Sequence, residues 1–226
     1  MKKQMSETFL AGAILAVTGG YLDAYTYVCR GHVFANAQTG NIVLLGVKAA
    51  AGEWLGALYY AVPILAFVLG IFIAELIRKR FRTHPNIHWR QIVVLIEAVV
   101  LFGIGFLPLG RMDMLANVLV AFVCSLQVES FRKVNGSPYA TTMCTGNLRS
   151  ASEQLFLYSQ TKEQRFLRSS MRYYGIIAFF IVGACVGAVL TGIWAEKAVF
   201  AASVALVGVF LLMFFKEEAD IREGKA

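Results

Sequence analysis

The sequence predicts an all-α membrane protein, a polytopic helix bundle of about six transmembrane helices arranged as two inverted three-helix repeats. Three observations carry that expectation. Of 226 residues, 58% are hydrophobic and only 15% are charged, where a soluble domain carries about 25% charged residues. Apolar runs of roughly 20 residues recur, each long enough to cross a hydrocarbon core of about 30 Å. A Thr-Gly-Asn motif also occurs twice, each time after an apolar stretch that holds a carboxylate.

The spans fall at about 8–28, 56–77, 91–110, 113–131, 172–194 and 197–215. The opening MKKQMSETFLAGAILAV has the basic start and apolar run of a signal peptide. Gly19, Gly20 and Asp23 follow without a small-x-small cleavage site, so it is expected to be a retained first helix. Pro63 should kink the second span and free a carbonyl. Asn117, Ser125, Gln127 and Glu129 dilute the fourth. Short links at 109–112 and 195–196 make spans three and four, and five and six, tight antiparallel pairs. The whole chain, 1–226, is expected to be one transmembrane domain, with repeats at about 8–110 and 113–215 and a cytoplasmic tail at 216–226.

The net charge is +7, and its distribution predicts orientation. With both termini inside, the inner face receives Lys2, Lys3, Arg78, Lys79, Arg80, Arg82, Arg90, Arg132, Lys133, Arg149, Lys162, Arg165, Arg168, Arg172, Lys216, Arg222 and Lys225. That is 17 of the 21 basic residues, leaving Arg30, Lys48, Arg111 and Lys197 outside. The positive-inside rule favours this arrangement, and the expected location is a bacterial cytoplasmic membrane. Charge in short loops beside apolar spans speaks against nucleic acid as a partner; the bilayer itself is the expected one.

Aligning Thr39-Gly40-Asn41 with Thr145-Gly146-Asn147 is a shift of 106 residues. It sets Asp23 on Glu129, each 16 residues before its Thr, Tyr25 on Phe131 and Ile42 on Leu148. Tyr59-Tyr60 meets Tyr173-Tyr174 if the second half carries an eight-residue insertion, for which Thr161–Arg168 is the natural place. Repeats of three spans enter the membrane in opposite senses, so the first motif should face outward and the second inward. Secondary transporters often use this plan, with sites where broken helices of the two halves meet near the midplane.

The motif residues suit a helix start. Thr or Asn can cap by accepting a backbone N–H, and Gly allows close approach. NIVLLGVKAAAGEW after Thr39 and NLRSASEQLFLY after Thr145 read as short amphipathic or re-entrant helices. Their positive ends would suit an anion or a polar solute, or they are ordinary interfacial helices. Carboxylates inside spans are costly and are functional candidates by default. Asp23 and Glu129 could carry protons, bind a cation or anchor a solute; alternatively Asp23 pairs with Arg30, and Glu129 with Arg132 or Lys133. Glu97, in QIVVLIEAVVLF, has no local partner and reads as a proton site or a hydrogen-bonded neutral acid. Gln127 and Asn117 could line the same cavity as Glu129. Candidate substrate- or ion-binding residues are therefore Asp23, Thr39, Gly40, Asn41, Glu97, Gln127, Glu129, Thr142, Thr145, Gly146 and Asn147.

Gly183, Gly187 and Gly192 imply close helix packing, with a GxxxG spacing at Gly183–Gly187 that serves a dimer or joins spans within one subunit. Cys29, Cys124, Cys144 and Cys185 have no CxxC spacing and read as small fillers, without disulfide or metal. His84 and His88 read as a solvated inner loop, and His32 as another loop position. No nucleophile elbow, phosphate loop, HExxH or dinucleotide fingerprint is present, so neither an enzyme nor a bound cofactor is expected.

The segments GGYLDAYTYVCRGHVFANAQTGNIVLLG and SLQVESFRKVNGSPYATTMCTGNLRSA resemble the two signature segments of the YoaK family, also called the DUF1275 family. Asp23, Thr39, Gly40, Asn41, Thr141, Thr142, Thr145 and Gly146 match its pattern. Where many members have Gly-x-Gln-Asn-Ala, this chain has Ser125-Leu126-Gln127-Val128-Glu129, so Gln127 matches while Val128 and Glu129 depart. The resemblance implies a bacterial multi-pass membrane protein and supplies no substrate. The expected function is a small secondary transporter or permease for a small polar solute or ion, coupled to protons through Asp23, Glu97 or Glu129 and working as a homodimer. The alternative is a non-transporting accessory, scaffold or sensing protein whose basic inner face meets a partner or anionic lipid.

Overall fold

A computed structural model describes residues 8–82, 88–134, 137–142 and 144–223, the side chains of 134, 137–138 and 214–223 excepted. His84, Lys2, Lys3 and Lys225 lie outside the described residues, as do the side chains of Lys216 and Arg222.

The described chain is helical apart from one two-residue hairpin, Lys133–Val134 against Ser137–Pro138. The helices are α1 (Phe9–Cys29), α2 (Gln38–Ala50), α3 (Trp54–Phe81), α4 (Trp89–Ile104), α5 (Asp113–Ser130), α6 (Cys144–Thr161), α7 (Gln164–Trp194) and α8 (Val199–Glu223), with a 3-10 turn at Ala195–Ala198 before the last. Each apolar span read from the sequence contains a helix, but the third, expected over 91–110, is helical only to Ile104, so the link before α5 runs over 105–112 and is longer than expected. Three segments are long and apolar enough to cross a membrane by length and composition: Trp54–Phe81, Asp113–Ser130 and Gln164–Met213, the last running through the turn into α8. The other two span candidates have physical reasons for weaker signals. Sixteen residues of α4 reach only about 24 Å at 1.5 Å per residue. Within its 21 residues, α1 carries Thr18, Gly19, Gly20, Asp23 and Thr26.

Long helices pack pairwise. α1 lies along α7, α3 along α5, and α4 along α8; α4 also touches α5, and α1 touches α8. The short helices lie on their successors, α2 on α3 and α6 on α7. The α1–α7 contact is close because it is glycine on backbone. A Cβ on Gly183 would strike the Val17 carbonyl, one on Gly20 would strike the Phe180 carbonyl, and one on Gly187 would sit 2.7 Å from the Tyr21 oxygen. The GxxxG spacing thus joins two helices of one subunit, while Gly192 faces open space. Pro63 is buried inside a continuous α3.

Buried leucine, valine and alanine of α1, α4, α5 and α8 form the main core, with Leu15, Leu101, Val120 and Leu206 fully enclosed. Arg30 is enclosed with them. It follows the last residue of α1 and uses all five of its N–H donors. Nε donates to the Tyr25 hydroxyl at 3.0 Å, Nη1 to Asp113 Oδ1 at 3.1 Å and the Pro108 carbonyl at 3.2 Å, and Nη2 to the Leu107 and Ile104 carbonyls at 2.8 and 3.4 Å. These carbonyls lie at and just past the end of α4, where helix carbonyls lack intrahelical donors. Arg30, read from sequence as an exterior loop charge, is instead a buried clamp on α1, α4 and α5.

Candidate functional site

The site is built around the middle of α1. Gly19 is the eleventh of its 21 residues. The segment between α1 and α2 folds back along α1, so that Asn36 Nδ2 donates to the Gly19 carbonyl at 3.0 Å and Asn36 N donates to Asp23 Oδ1 at 3.1 Å. Ala35 N reaches the Thr26 hydroxyl at 3.3 Å. The segment between α5 and α6 returns to the same place. A Cβ on Gly19 would meet Thr142 Cγ2 at 2.7 Å and the Thr141 carbonyl at 3.3 Å. The Thr142 hydroxyl lies 3.5 Å from Cys124 Sγ of α5. Gly19 is thus the point at which the approaches to α2 and α6 meet.

Because Asn36 and Thr142 lie two residues before Gln38 and Cys144, α2 and α6 both start beside the centre of α1. The Thr-Gly-Asn residues fall inside the first turn of each helix, where Thr39 and Thr145 are already the second helical residues. Ala37 precedes α2 and makes no side-chain cap bond, which corrects the expectation that Thr39 or Asn41 caps it. The two motifs nonetheless behave alike. Thr39 and Gly40 are exposed and Asn41 is buried; Thr145 and Gly146 are exposed and Asn147 is buried. Asn41 Nδ2 donates to Gln38 Oε1 at 3.1 Å. Asn147 accepts from Ala140 N at 3.2 Å and donates to the Ala140 carbonyl at 2.6 Å, fastening the loop that carries Thr141 and Thr142. The motif asparagines hold the returns in position.

The carboxylates separate. Asp23 is buried and has no ion pair among the described residues; Arg30, its sequence-expected partner, is taken by Asp113. Glu97 is buried in α4, and its Oε1 has no hydrogen-bond partner. Glu129 is ion-paired with Arg132, three residues on, at the far end of α5. Gln127 Nε2 donates to the Leu15 carbonyl at 3.3 Å, and Asn117 Nδ2 to the Arg30 carbonyl at 2.8 Å. These two side chains tie α5 to α1 at different levels, a correction to the expectation that they line one cavity with Glu129. His88 is not a loop histidine: its Nδ1 accepts from Arg90 N at 3.3 Å, and it caps α4 together with Gln91.

Two residues absent from the sequence-derived site belong to it. Asn36 Oδ1 and Thr141 Oγ1 are buried without hydrogen-bond partners, on residues that flank Gly19. A buried polar atom left unpaired costs about 1–3 kcal/mol, and more where lipid excludes water. The sequence held one signal for Asn36: the 106-residue shift that aligns the motifs also sets it on Thr142. Among the described residues no group of three or more His, Cys, Asp or Glu could hold a metal ion, and all four cysteines are free.

Comparison with known proteins agrees with a membrane protein of undetermined activity. The family model described as "Protein of unknown function (DUF1275)" matches residues 11–212, and the chain belongs to that family. It is 26% identical over 189 residues to the UPF0700 transmembrane protein YoaK of Bacillus subtilis (strain 168), covering 80% of this chain and 81% of that protein. No solved structure matches.

Proposed function

We propose that this DUF1275 protein is a small permease of the bacterial cytoplasmic membrane, and that a small polar solute binds where the approaches to α2 and α6 meet at Gly19 and Asp23. That convergence carries the reading. Two short helices begin beside the centre of α1, the plan that the broken helices of secondary transporters use.

The packing pattern supports two inverted halves. Exchanging α1–α4 with α5–α8 turns the α1–α7 pair into α5–α3, α2–α3 into α6–α7, and α4–α5 into α8–α1, and it returns α4–α8 to itself; all of these pairs occur. The glycine contacts follow the same exchange. Gly70 of α3 packs on the Phe122 carbonyl and Ser125 of α5, as Gly183 of α7 packs on Val17 of α1. The extra residues of the second half fall at the end of α6 and the start of α7, with α6 five residues longer than α2 and α7 three longer than α3. Six membrane crossings with both termini cytoplasmic remain the arrangement that best accounts for the distribution of basic residues.

The unpaired Asn36 oxygen and Thr141 hydroxyl, beside a carboxylate without a cation, favour a solute bearing N–H or O–H donors, neutral or cationic. Asp23 and Glu97, both buried within their helices, are the groups proposed to couple protons. The test is uptake of a panel of small polar solutes into liposomes holding the purified protein. Uptake that falls at least ~10-fold in Asp23→Asn, the loss expected for about 1.4 kcal/mol of missing interaction, supports the reading. Wild-type uptake by Asp23→Asn removes the carboxylate from it. If no solute in the panel is taken up or raises thermal stability, the protein is an accessory or sensing component instead.

A further inference from the structure

The end of the molecule where α3 finishes and α4 begins carries a feature that the solute site does not use. A cavity of about 270 Å³ is lined by Arg78, Arg82, His88, Trp89 and Arg90. It adjoins a larger, open groove of about 500 Å³ lined by Phe72, Glu75, Leu76, Arg78, Lys79 and Arg82, and the two share Arg78 and Arg82. Four cationic side chains therefore face one carboxylate. That carboxylate, Glu75, is already engaged by Arg78 at 3.0 Å and by Arg132 at 3.8 Å. Lys79 and Arg82 have no ion pair among the described residues. The guanidinium carbons of Arg78 and Arg90 lie 5.9 and 5.1 Å from the centre of the Trp89 ring, and Arg90 Nε also donates to the Ser130 carbonyl at 2.8 Å.

The chemistry changes sharply along α3. One turn back from the cations, Phe72 and Leu76 are 67% and 63% exposed on the same groove wall. A basic cavity that opens onto an exposed apolar wall matches a molecule with an anionic head and hydrocarbon tails. A free phosphate would use the cavity and leave the wall uncovered. Indole rings favour the headgroup level of a bilayer, and basic pockets between helices at the cytoplasmic face are suited to anionic lipid headgroups.

We infer that this groove is a binding site for an anionic phospholipid, the phosphate held among Arg78, Lys79, Arg82 and Arg90 and an acyl chain lying along Leu76 and Phe72. The test uses the full-length protein in neutral detergent. Binding of phosphatidylglycerol, phosphatidylcholine and inorganic phosphate is measured by native mass spectrometry and by thermal shift. Phosphatidylglycerol should bind at least ten-fold more tightly than phosphatidylcholine, and millimolar inorganic phosphate should not displace it. In Lys79→Gln/Arg82→Gln, which breaks no ion pair, affinity should fall roughly five-fold for each cation removed. Arg111→Gln, at the opposite end of α5, should leave it unchanged. Equal binding of the two lipids overturns the inference, as does displacement by phosphate or an equal loss in Arg111→Gln. The lipid-free melting temperature of each variant separates lost binding from lost fold.

Discussion

Asp23 and Glu129 occupy matching positions in the two halves of the sequence, yet the fold treats them in opposite ways. Glu129 reaches a partner that water also reaches: it is 7% exposed, but Arg132 is 58% exposed, and the pair lies where α5 ends. Asp23 lies well inside α1, holds one backbone N–H of the returning loop and has no cation. Arg30, seven residues further along, is the counter-example. It is just as buried, but every donor is used and a carboxylate neutralises it. Burial alone therefore does not mark function. What distinguishes the Gly19–Asp23 region is that two unpaired buried polar atoms, Asn36 Oδ1 and Thr141 Oγ1, lie on residues that flank one glycine, beside a carboxylate without an ion pair among the described residues.

That contrast yields a ranked series of tests. The largest effect should come from Arg30→Met, which strands Asp113 and the carbonyls of Ile104, Leu107 and Pro108. Breaking a buried pair costs about 3–5 kcal/mol, so the variant should lose most of its melting temperature or fail to accumulate folded. Gly183→Ala should follow, since its Cβ meets the Val17 backbone and α1 must shift; overpacking costs about 1–3 kcal/mol, read by thermal unfolding. Asp23→Asn keeps an acceptor for Asn36 N, so its stability should change by less than about 1 kcal/mol while uptake is lost. Glu129→Gln should be the mildest. It gives up an ion pair worth about 0–1 kcal/mol at an exposed partner, with uptake unchanged. If Glu129→Gln abolished uptake and Asp23→Asn did not, the assignment of roles to the two carboxylates would be reversed.

The same contrast shows how far the sequence could be read. The sequence already offered Arg132 or Lys133 as a partner for Glu129, and the structure pairs it with Arg132. The motif asparagines were legible as architecture because a polar residue repeated in the same context must be satisfied twice. Their partners, Gln38 and the Ala140 backbone, were not, since several groups of each loop lay within reach. Arg30 was misread because a cation just after an apolar helix is exposed far more often than enclosed; only the converging ends of α4 and α5 make a cage for it.

By itself, the sequence determined where the apolar helices fall, that several of them are long and apolar enough for lipid, and that two polar motifs recur between them in matching order. These properties follow from local composition and hydrogen bonding within each helix, so they survive without knowledge of the neighbours. The tertiary structure alone decided that Asn36 and Thr142, 106 positions apart, reach the same glycine, and that Asp23 is left there without a cation while Glu129 gains one. The meeting point depends on how closely α1 and α7 approach, which is set by backbone against glycine at Gly20 and Gly183, and on Gly19 leaving room for Thr141 and Thr142. No periodicity along the chain encodes it.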